Sequence, residues 1–148
     1  HLDRAALQLA ALYHDAIYDS RAVSPANEVA SAELASSVAT DLGWSAQRVA
    51  LVHRLILATA HLEPGGHNEA GGELDEHARM LVEADLAILG AEPADYSAYV
   101  SGVRAEYSHV SDPDWRSGRS AVLQHLLQNP ALGARARANL TAELVLYR

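Results

Sequence analysis

An adjacent histidine and aspartate lie near the start of the chain, where an apolar helical pattern ends. His14 and Asp15 follow directly on Ala11, Leu12 and Tyr13. A charged group beside the buried face of a helix is costly unless something pairs with it. A divalent metal ion is a suitable partner for neighbouring imidazole and carboxylate groups. A dipeptide is a short motif and can arise by chance. The alternative interpretation is a histidine at a helix end, with the aspartate as its local hydrogen-bond partner.

Two further polar residues lie in apolar surroundings farther along the chain. Asp85 interrupts one of the most apolar stretches, where Leu81 and Ile88 share its helix face. An unpaired carboxylate in a core is expensive, so Asp85 is predicted to bind a metal ion, to cap a helix or to pair with an arginine. His61 ends a second apolar helical stretch. Its imidazole titrates in a range useful for chemistry, although a histidine at a helix C-terminus is also favoured by the helix dipole.

The elements that would position these residues are helices, because the hydrophobic pattern is helical almost throughout. Alternating strand patterns and internal repeats are not visible. The sequence predicts an all-α, single-domain bundle of about seven helices that covers residues 1–148. The predicted helices are 2–18, 27–42, 45–61, 74–89, 93–107, 112–128 and a last one that begins around residue 132.

Capping residues and helix breakers set the predicted boundaries. Asn27 and Ser45 are predicted to cap the second and third helices, and Gly43 to end the second. Pro93 is predicted to open the fifth helix from its first turn. The glycine-rich segment 64–72 is predicted to be a flexible surface loop.

Composition excludes several classes of function. The 148 residues carry a net charge of −8, which argues against a nucleic-acid groove. No apolar run is long enough to cross a membrane. The chain has no cysteine, which excludes disulfides and thiolate metal sites. Because the absence of cysteine fits a reducing compartment, a cytoplasmic location is predicted. Several arginines in the last third are compatible with a small phosphate ligand.

Seven segments in a fixed order carry a resemblance that extends over nearly the whole chain. The segments are Tyr13–Asp19, Asn27–Ala32, Ile56–His61, Ala84–Gly90, Val103–Tyr107, Gly118–Leu123 and Ala134–Leu140. They resemble the HD-domain superfamily, and within it a bacterial branch of metal-dependent phosphohydrolases. The ordered series is far more specific than the His-Asp dipeptide alone.

The resemblance implies a divalent metal cofactor (Mn²⁺, Fe²⁺, Zn²⁺ or Mg²⁺) inside a helical bundle. His14 and Asp15 would be the central ligand pair and Asp85 the distal carboxylate. Asp15 would also act in catalysis, by bridging two ions or orienting the nucleophile. His61 would complete a second metal position or act as an acid or base. The implied activity is hydrolysis of a nucleotide or another small phosphoester by metal-activated water.

The chain departs from the family at the first histidine ligand. The superfamily places a histidine well upstream of the His-Asp pair, whereas here only His1 precedes His14. On one helix these two residues would lie about 20 Å apart, too far to share an ion. Either the ligand belongs to one or more N-terminal helices that precede this sequence, or the chain lacks it.

Arg104, Tyr107 and Arg119 are the candidates for substrate binding, because an arginine fork matches phosphate oxygens. Surface salt bridges are the alternative for each arginine. Glu28 and Asn27 are expected to line the same cleft, although capping explains Asn27 equally well.

Two rival interpretations remain beside the enzyme. One is a degenerate HD-fold domain that binds a nucleotide or a protein partner without turnover. The other is a structural helical bundle whose polar residues are caps and ion pairs. Under the enzyme interpretation the expected partner is a small phosphorylated substrate, with no nucleic acid or membrane, and a homo-oligomer remains open.

Overall fold

The computed structural model describes residues 2–62, 75–130 and 132–147, with the side chains of all of these except 61 and 62. Within these ranges the chain forms seven α-helices and two 3-10 helices, and no β-strand. The prediction of an all-α protein with about seven helices is confirmed. The α-helices are α1 (Arg4–Tyr13), α2 (Ala26–Asp41), α3 (Ala46–Leu57), α4 (Glu76–Asp85), α5 (Pro93–Glu106), α6 (Asp112–Leu127) and α7 (Ala134–Val145). The 3-10 helices Ala58–Leu62 and Leu86–Gly90 follow α3 and α4 directly.

The chain divides into two compact units, His1–Asp85 and Leu86–Arg148. Helices α1 to α4 belong to the first unit, and α5 to α7 belong to the second. The sequence prediction of a single HD-like domain over residues 1–148 stays a prediction. Among the described helices, none combines the length and the apolar character that a membrane span requires.

Small side chains on α2 allow close packing in the first unit. Ala32, Ala35 and Ala39 lie on one face of α2 and are fully buried. Since each adds only a methyl group, α2 packs closely against α1 and α3. The larger core side chains come from the other helices: Leu9 from α1, Val52, Leu55 and Ile56 from α3, and Leu81 from α4.

Asp3 joins the starts of three helices. Its Oδ1 accepts a hydrogen bond from the Ala6 N–H at 3.1 Å and so caps α1. Arg48, in the first turn of α3, donates to both carboxylate oxygens at 2.7 Å and lowers the pKa of Asp3. The Asp3 N–H donates to Nε2 of His77 in the first turn of α4 at 2.8 Å. Helices α1, α3 and α4 therefore begin at the same end of the first unit.

Helix α1 is shorter than the hydrophobic pattern indicated. It ends at Tyr13, whereas the pattern predicted a helix as far as residue 18. Ser31 of α2 is the reason, because its Oγ accepts from the Ile17 N–H at 3.0 Å and donates to the Ile17 carbonyl at 3.2 Å. Both backbone groups of Ile17 thus find a partner outside the helix ladder. Because these bonds replace helical ones, the residues after Tyr13 form a turn instead of continuing α1.

Helices α3 and α4 also end before the predicted residues. Helix α3 gives way to 3-10 winding after Leu57, and α4 does so after Asp85. Apolar residues three apart suit both kinds of winding, so the sequence pattern could not separate them. The predicted loop 64–72 lies outside the described residues.

The predicted role of Asn27 as a helix cap is wrong. Helix α2 begins one residue earlier, and its N-cap is Pro25. The Asn27 side chain instead bonds the backbone of Asp19, accepting from its N–H at 2.9 Å and donating to its carbonyl at 3.1 Å. A contact with the preceding loop has replaced the local cap. Ser45 does occupy the N-cap position of α3, although its side chain makes no capping hydrogen bond.

Other predicted boundaries are confirmed. Helix α5 begins at Pro93 and α6 begins at Asp112. Gly43 follows the end of α2 with a φ of +75°, a left-handed conformation that glycine adopts without strain.

The second unit is built around α6 and α7. Asn139 on α7 donates through Nδ2 to the carbonyls of Leu89 and Ala91 at 2.9 and 3.0 Å, which ties α7 to the preceding 3-10 helix. The buried apolar side chains around these contacts are Leu89, Tyr96, Leu123, Leu126, Ala136 and Leu140.

A buried ion pair joins α6 to α7. Arg119 donates to Glu143 through Nε at 2.7 Å and through Nη2 at 3.0 Å, and the two side chains are only 7% and 3% exposed. The hydroxyls of Tyr96 and Tyr147 also donate to the Glu143 carboxylate. Burial opposes the charge of Arg119, but the hydrogen bonds to Glu143 raise its pKa further above the usual range. Glu143 is thus surrounded by four donor hydrogen bonds.

Removing Arg119 alone should strongly destabilise the second unit, because Glu143 would remain buried without its cation. We expect Arg119→Met to lower the free energy of unfolding by about 3–5 kcal/mol. The double variant Arg119→Met, Glu143→Leu should recover most of that loss. Arg135→Met is the control, since the Arg135–Glu92 pair is more than half exposed and worth about 0–1 kcal/mol. Urea unfolding followed by circular dichroism measures all three; equal losses for Arg119→Met and Arg135→Met would contradict the expectation.

Candidate metal centre

Three of the predicted ligands meet at one point of the first unit. His14, Asp15 and Asp85 each offer a ligand atom, and the three atoms lie within 4.8 Å of one another. Nε2 of His14 lies 3.2 Å from Oδ1 of Asp85 and 3.4 Å from Oδ2 of Asp15. Among the described residues this is the one such group of three histidine or acidic side chains. The arrangement could hold a metal ion.

The geometry of α1 and α4 brings these side chains together. Both helices have ten residues, which corresponds to about 15 Å. Their starts are joined by the hydrogen bond from Asp3 to His77, and their ends by the contact of His14 with Asp85. The two helices therefore run parallel. His14 is the C-cap of α1 and Asp85 is the last residue of α4, so both lie at the same end of the pair.

A hydrogen bond to the backbone orients His14. Its Nδ1 lies 2.9 Å from the carbonyl oxygen of Ala11, the last turn of its own helix. Nδ1 must carry a proton to donate to this carbonyl, which leaves Nε2 directed at the two carboxylates. A metal-binding histidine is commonly held in this way, with one nitrogen bonded to a carbonyl and the other facing the ion.

The carboxylates determine the charge of the imidazole when no cation is present. The hydrogen bond to Asp85 raises the pKa of His14 to about 9, against the effect of partial burial, and the Ala11 carbonyl and the charge of Asp15 add to it. Near neutral pH the imidazole is therefore protonated. A proton on Nε2 then stands where a metal ion would bind, and the two would compete.

The donor set fits a divalent cation that prefers mixed nitrogen and oxygen ligands. One imidazole and two carboxylates suit Mn²⁺ or Fe²⁺, and three protein ligands leave further positions for water or substrate. His14 and Asp85 are 22% and 25% exposed, while Asp15 is 64% exposed. The solvent-facing side of the group is therefore the side of Asp15.

Two further histidines considered in the sequence, His61 and His1, lie partly or wholly outside the described residues. The backbone of His61 lies in the 3-10 helix Ala58–Leu62, but its side chain lies outside the described residues, as does all of His1. The roles predicted for His61, as a ligand or as an acid or base, stay predictions.

Glu28 lies in the first turn of α2, close in sequence to the residues that bond the turn after Asp15. It is not a member of the three-residue group. Its carboxylate oxygen Oε2 is buried and has no hydrogen-bond partner among the described residues. The substrate-binding role predicted for Glu28 stays a prediction.

The other predicted substrate-binding residues lie in the second unit and have partners there. Arg104 donates to the carbonyl of Tyr107 at 2.7 Å and to the carboxylate of Asp112 at 2.6 Å, across the end of α5. Arg119 is paired with Glu143, as described above. The Arg104–Asp112 pair is the surface salt bridge that the alternative interpretation expected, whereas the Arg119–Glu143 pair is buried. The phosphate-binding roles of Arg104, Tyr107 and Arg119 stay predictions.

Ser31 is the residue that the sequence reasoning missed. It is fully buried on α2 and holds both backbone groups of Ile17, two residues after Asp15. Its signal was a single serine on an otherwise alanine-rich helix face, which is weak because serine is also common on surfaces. Without the fold, nothing indicated that this serine contacts the turn of the metal centre.

Comparison of the chain with family models, with curated proteins and with solved structures gave no match. The likeness to the HD-domain superfamily therefore rests on the residues quoted above.

The raised pKa of His14 predicts how the metal-free protein responds to pH. The stabilisation that protonated His14 provides is complete below pH 6.5, the ordinary pKa of histidine. It is lost as pH rises toward the raised pKa of about 9. With metal removed by chelation, we expect the free energy of unfolding to fall between pH 6.5 and pH 9. Asp85→Asn should flatten this dependence, and His109→Ala, in the second unit, should preserve it. Urea unfolding at several pH values measures the slope; a stability that rises over this interval would contradict the assignment.

Proposed function

We propose that the chain binds a divalent metal ion at His14, Asp15 and Asp85 and hydrolyses a small phosphoester, with a nucleotide as the favoured substrate class. The observation that carries the proposal is the approach of three ligand atoms to within 4.8 Å of one another. The substrate class comes from the resemblance to HD-type phosphohydrolases.

Charge supports a metal ion over a purely structural cluster. With His14 protonated, the group of one imidazolium and two carboxylates still carries a net charge of −1. Burying part of that charge is unfavourable unless a further cation compensates it. A divalent ion that displaces the proton from Nε2 gives the group neutral charge. The fixed orientation of His14, with Nδ1 bonded to Ala11, keeps Nε2 ready for that ion.

The negative charge of the chain also favours a cation at a phosphate site. A phosphoester approaching a protein of net charge −8 is repelled unless positive charge is concentrated where it binds. A divalent ion, when bound, neutralises phosphate oxygens and lowers the pKa of a coordinated water molecule. His14 and Asp85 would hold the ion from the half-buried side. Asp15, on the exposed side, would accept a hydrogen bond from the attacking water and orient it toward phosphorus.

The proposal predicts metal binding and metal-dependent hydrolysis that fail together. We expect the chain to bind Mn²⁺ and to release phosphate from members of a nucleotide panel in its presence. His14→Ala and Asp85→Asn should each weaken Mn²⁺ binding by more than about 100-fold, since even outer-shell substitutions cost about 10–100-fold. Hydrolysis should fall by a similar factor. Isothermal titration calorimetry and a phosphate-release assay measure the two effects.

His109→Ala provides the matched control, because it removes an exposed imidazole that is not part of the three-residue group. Binding of Mn²⁺ with no turnover on any phosphoester would favour the degenerate, ligand-binding interpretation. A chain that binds neither metal nor nucleotide would favour the structural bundle.

A further inference from the structure

The carboxylate of Glu28 has one buried oxygen atom for which the described residues provide no hydrogen-bond donor. Its Oε2 is enclosed by protein atoms, yet no donor among the described residues bonds to it. A buried acceptor without a partner is unfavourable, and more so when it carries charge. The buried polar side chains of Ser31 and Thr59, in the same unit, are by contrast bonded to backbone groups. The exception points to a donor that the described residues do not supply.

The ordinary structural role of such a glutamate is chemically blocked here. Glu28 is the third residue of α2, a position from which glutamate commonly accepts a hydrogen bond from the N-cap N–H. The N-cap is Pro25, which has no N–H. A capping box therefore cannot explain why a glutamate occupies this position.

The residues on either side of Glu28 in α2 bind the segment that follows Asp15. Asn27 bonds both backbone groups of Asp19, and Ser31 bonds both backbone groups of Ile17. Glu28 lies between these two anchors and shares a helix face with Ser31, one turn on. Ile17 is only two residues beyond Asp15. Hydrogen bonds thus join the first turns of α2 to the segment that follows the His14–Asp15 pair.

The missing donor is best identified by exclusion. Glu28 supplies no atom to the three-residue group, so it is not a direct ligand beside His14, Asp15 and Asp85. Phosphate oxygens repel a carboxylate, so the donor is not the phosphate group of a substrate. Water molecules held by a divalent cation are strong donors, and such cations commonly keep several of them.

We propose that Glu28 is an outer residue of this metal centre, whose carboxylate accepts a hydrogen bond from water held by the bound cation. This inference rests on the proposed metal site. On metal binding, Glu28 gains through its carboxylate a charge-assisted hydrogen bond that no described residue supplies in the metal-free chain. It is a positioning residue, because it acts on the ion through water.

Glu28→Gln tests the proposal, with Glu33→Gln as the matched control. Glu33 lies on the same helix, is exposed, and loses the same charge on substitution. In the metal-free full chain, we expect the melting temperature of Glu28→Gln to stay within about 3 °C of the wild type or to rise. In a titration with Mn²⁺ alone, Glu28→Gln should bind about 10-fold more weakly or worse, and Glu33→Gln should bind like the wild type. Glu28→Ala, which retains no acceptor, should weaken binding at least as much.

Each other outcome has a defined meaning. A larger fall in the metal-free melting temperature of Glu28→Gln would overturn the proposal, because the carboxylate would then stabilise the fold itself. Unchanged Mn²⁺ affinity in both Glu28 variants, beside a wild type that binds Mn²⁺, would overturn this inference and leave the metal site standing. A wild-type chain that binds no Mn²⁺ would overturn the metal site, and this inference with it.

Discussion

The contact of His14 with Asp85 depends on two parallel helices that are joined at both ends. At one end, Asp3 caps α1 and its N–H bonds His77 of α4. At the other end, Nε2 of His14 lies 3.2 Å from Oδ1 of Asp85. Since both helices have ten residues, joining their starts places their ends at the same height. The candidate metal centre is a consequence of this match in length.

The two units differ in how their buried and partly buried polar side chains are paired among the described residues. In the second unit, Arg119 and Glu143 satisfy each other, and two tyrosines complete the set of donors around the glutamate. In the first unit, His14 is protonated between two carboxylates, and Glu28 holds a buried oxygen with no described partner. The buried charges of the second unit therefore have their partners within that unit. In the first unit the group of His14, Asp15 and Asp85 retains a net charge of −1, which is a property expected of a cation site.

Much of the fold was predictable from local patterns. Apolar spacing, together with Pro93 and Gly43, predicted the number of helices and several boundaries. The errors arose where a distant residue took over a backbone group, as Ser31 did with Ile17 and Asn27 with Asp19. Such contacts between residues 8 to 14 positions apart leave no periodic signal, so a pattern of nearest neighbours could not predict them.

The sequence alone determined which residue types were available for chemistry, because a carboxylate in an apolar stretch is costly without a partner and an adjacent histidine and aspartate can bind a metal ion. It therefore indicated His14, Asp15 and Asp85 as candidates. Only the tertiary structure decided that these three meet, since 70 residues separate Asp15 from Asp85 and their distance depends on how α1 and α4 pack. The same holds for Glu28: its position was visible in the sequence, but only the packing around it shows that its Oε2 has no partner among the described residues.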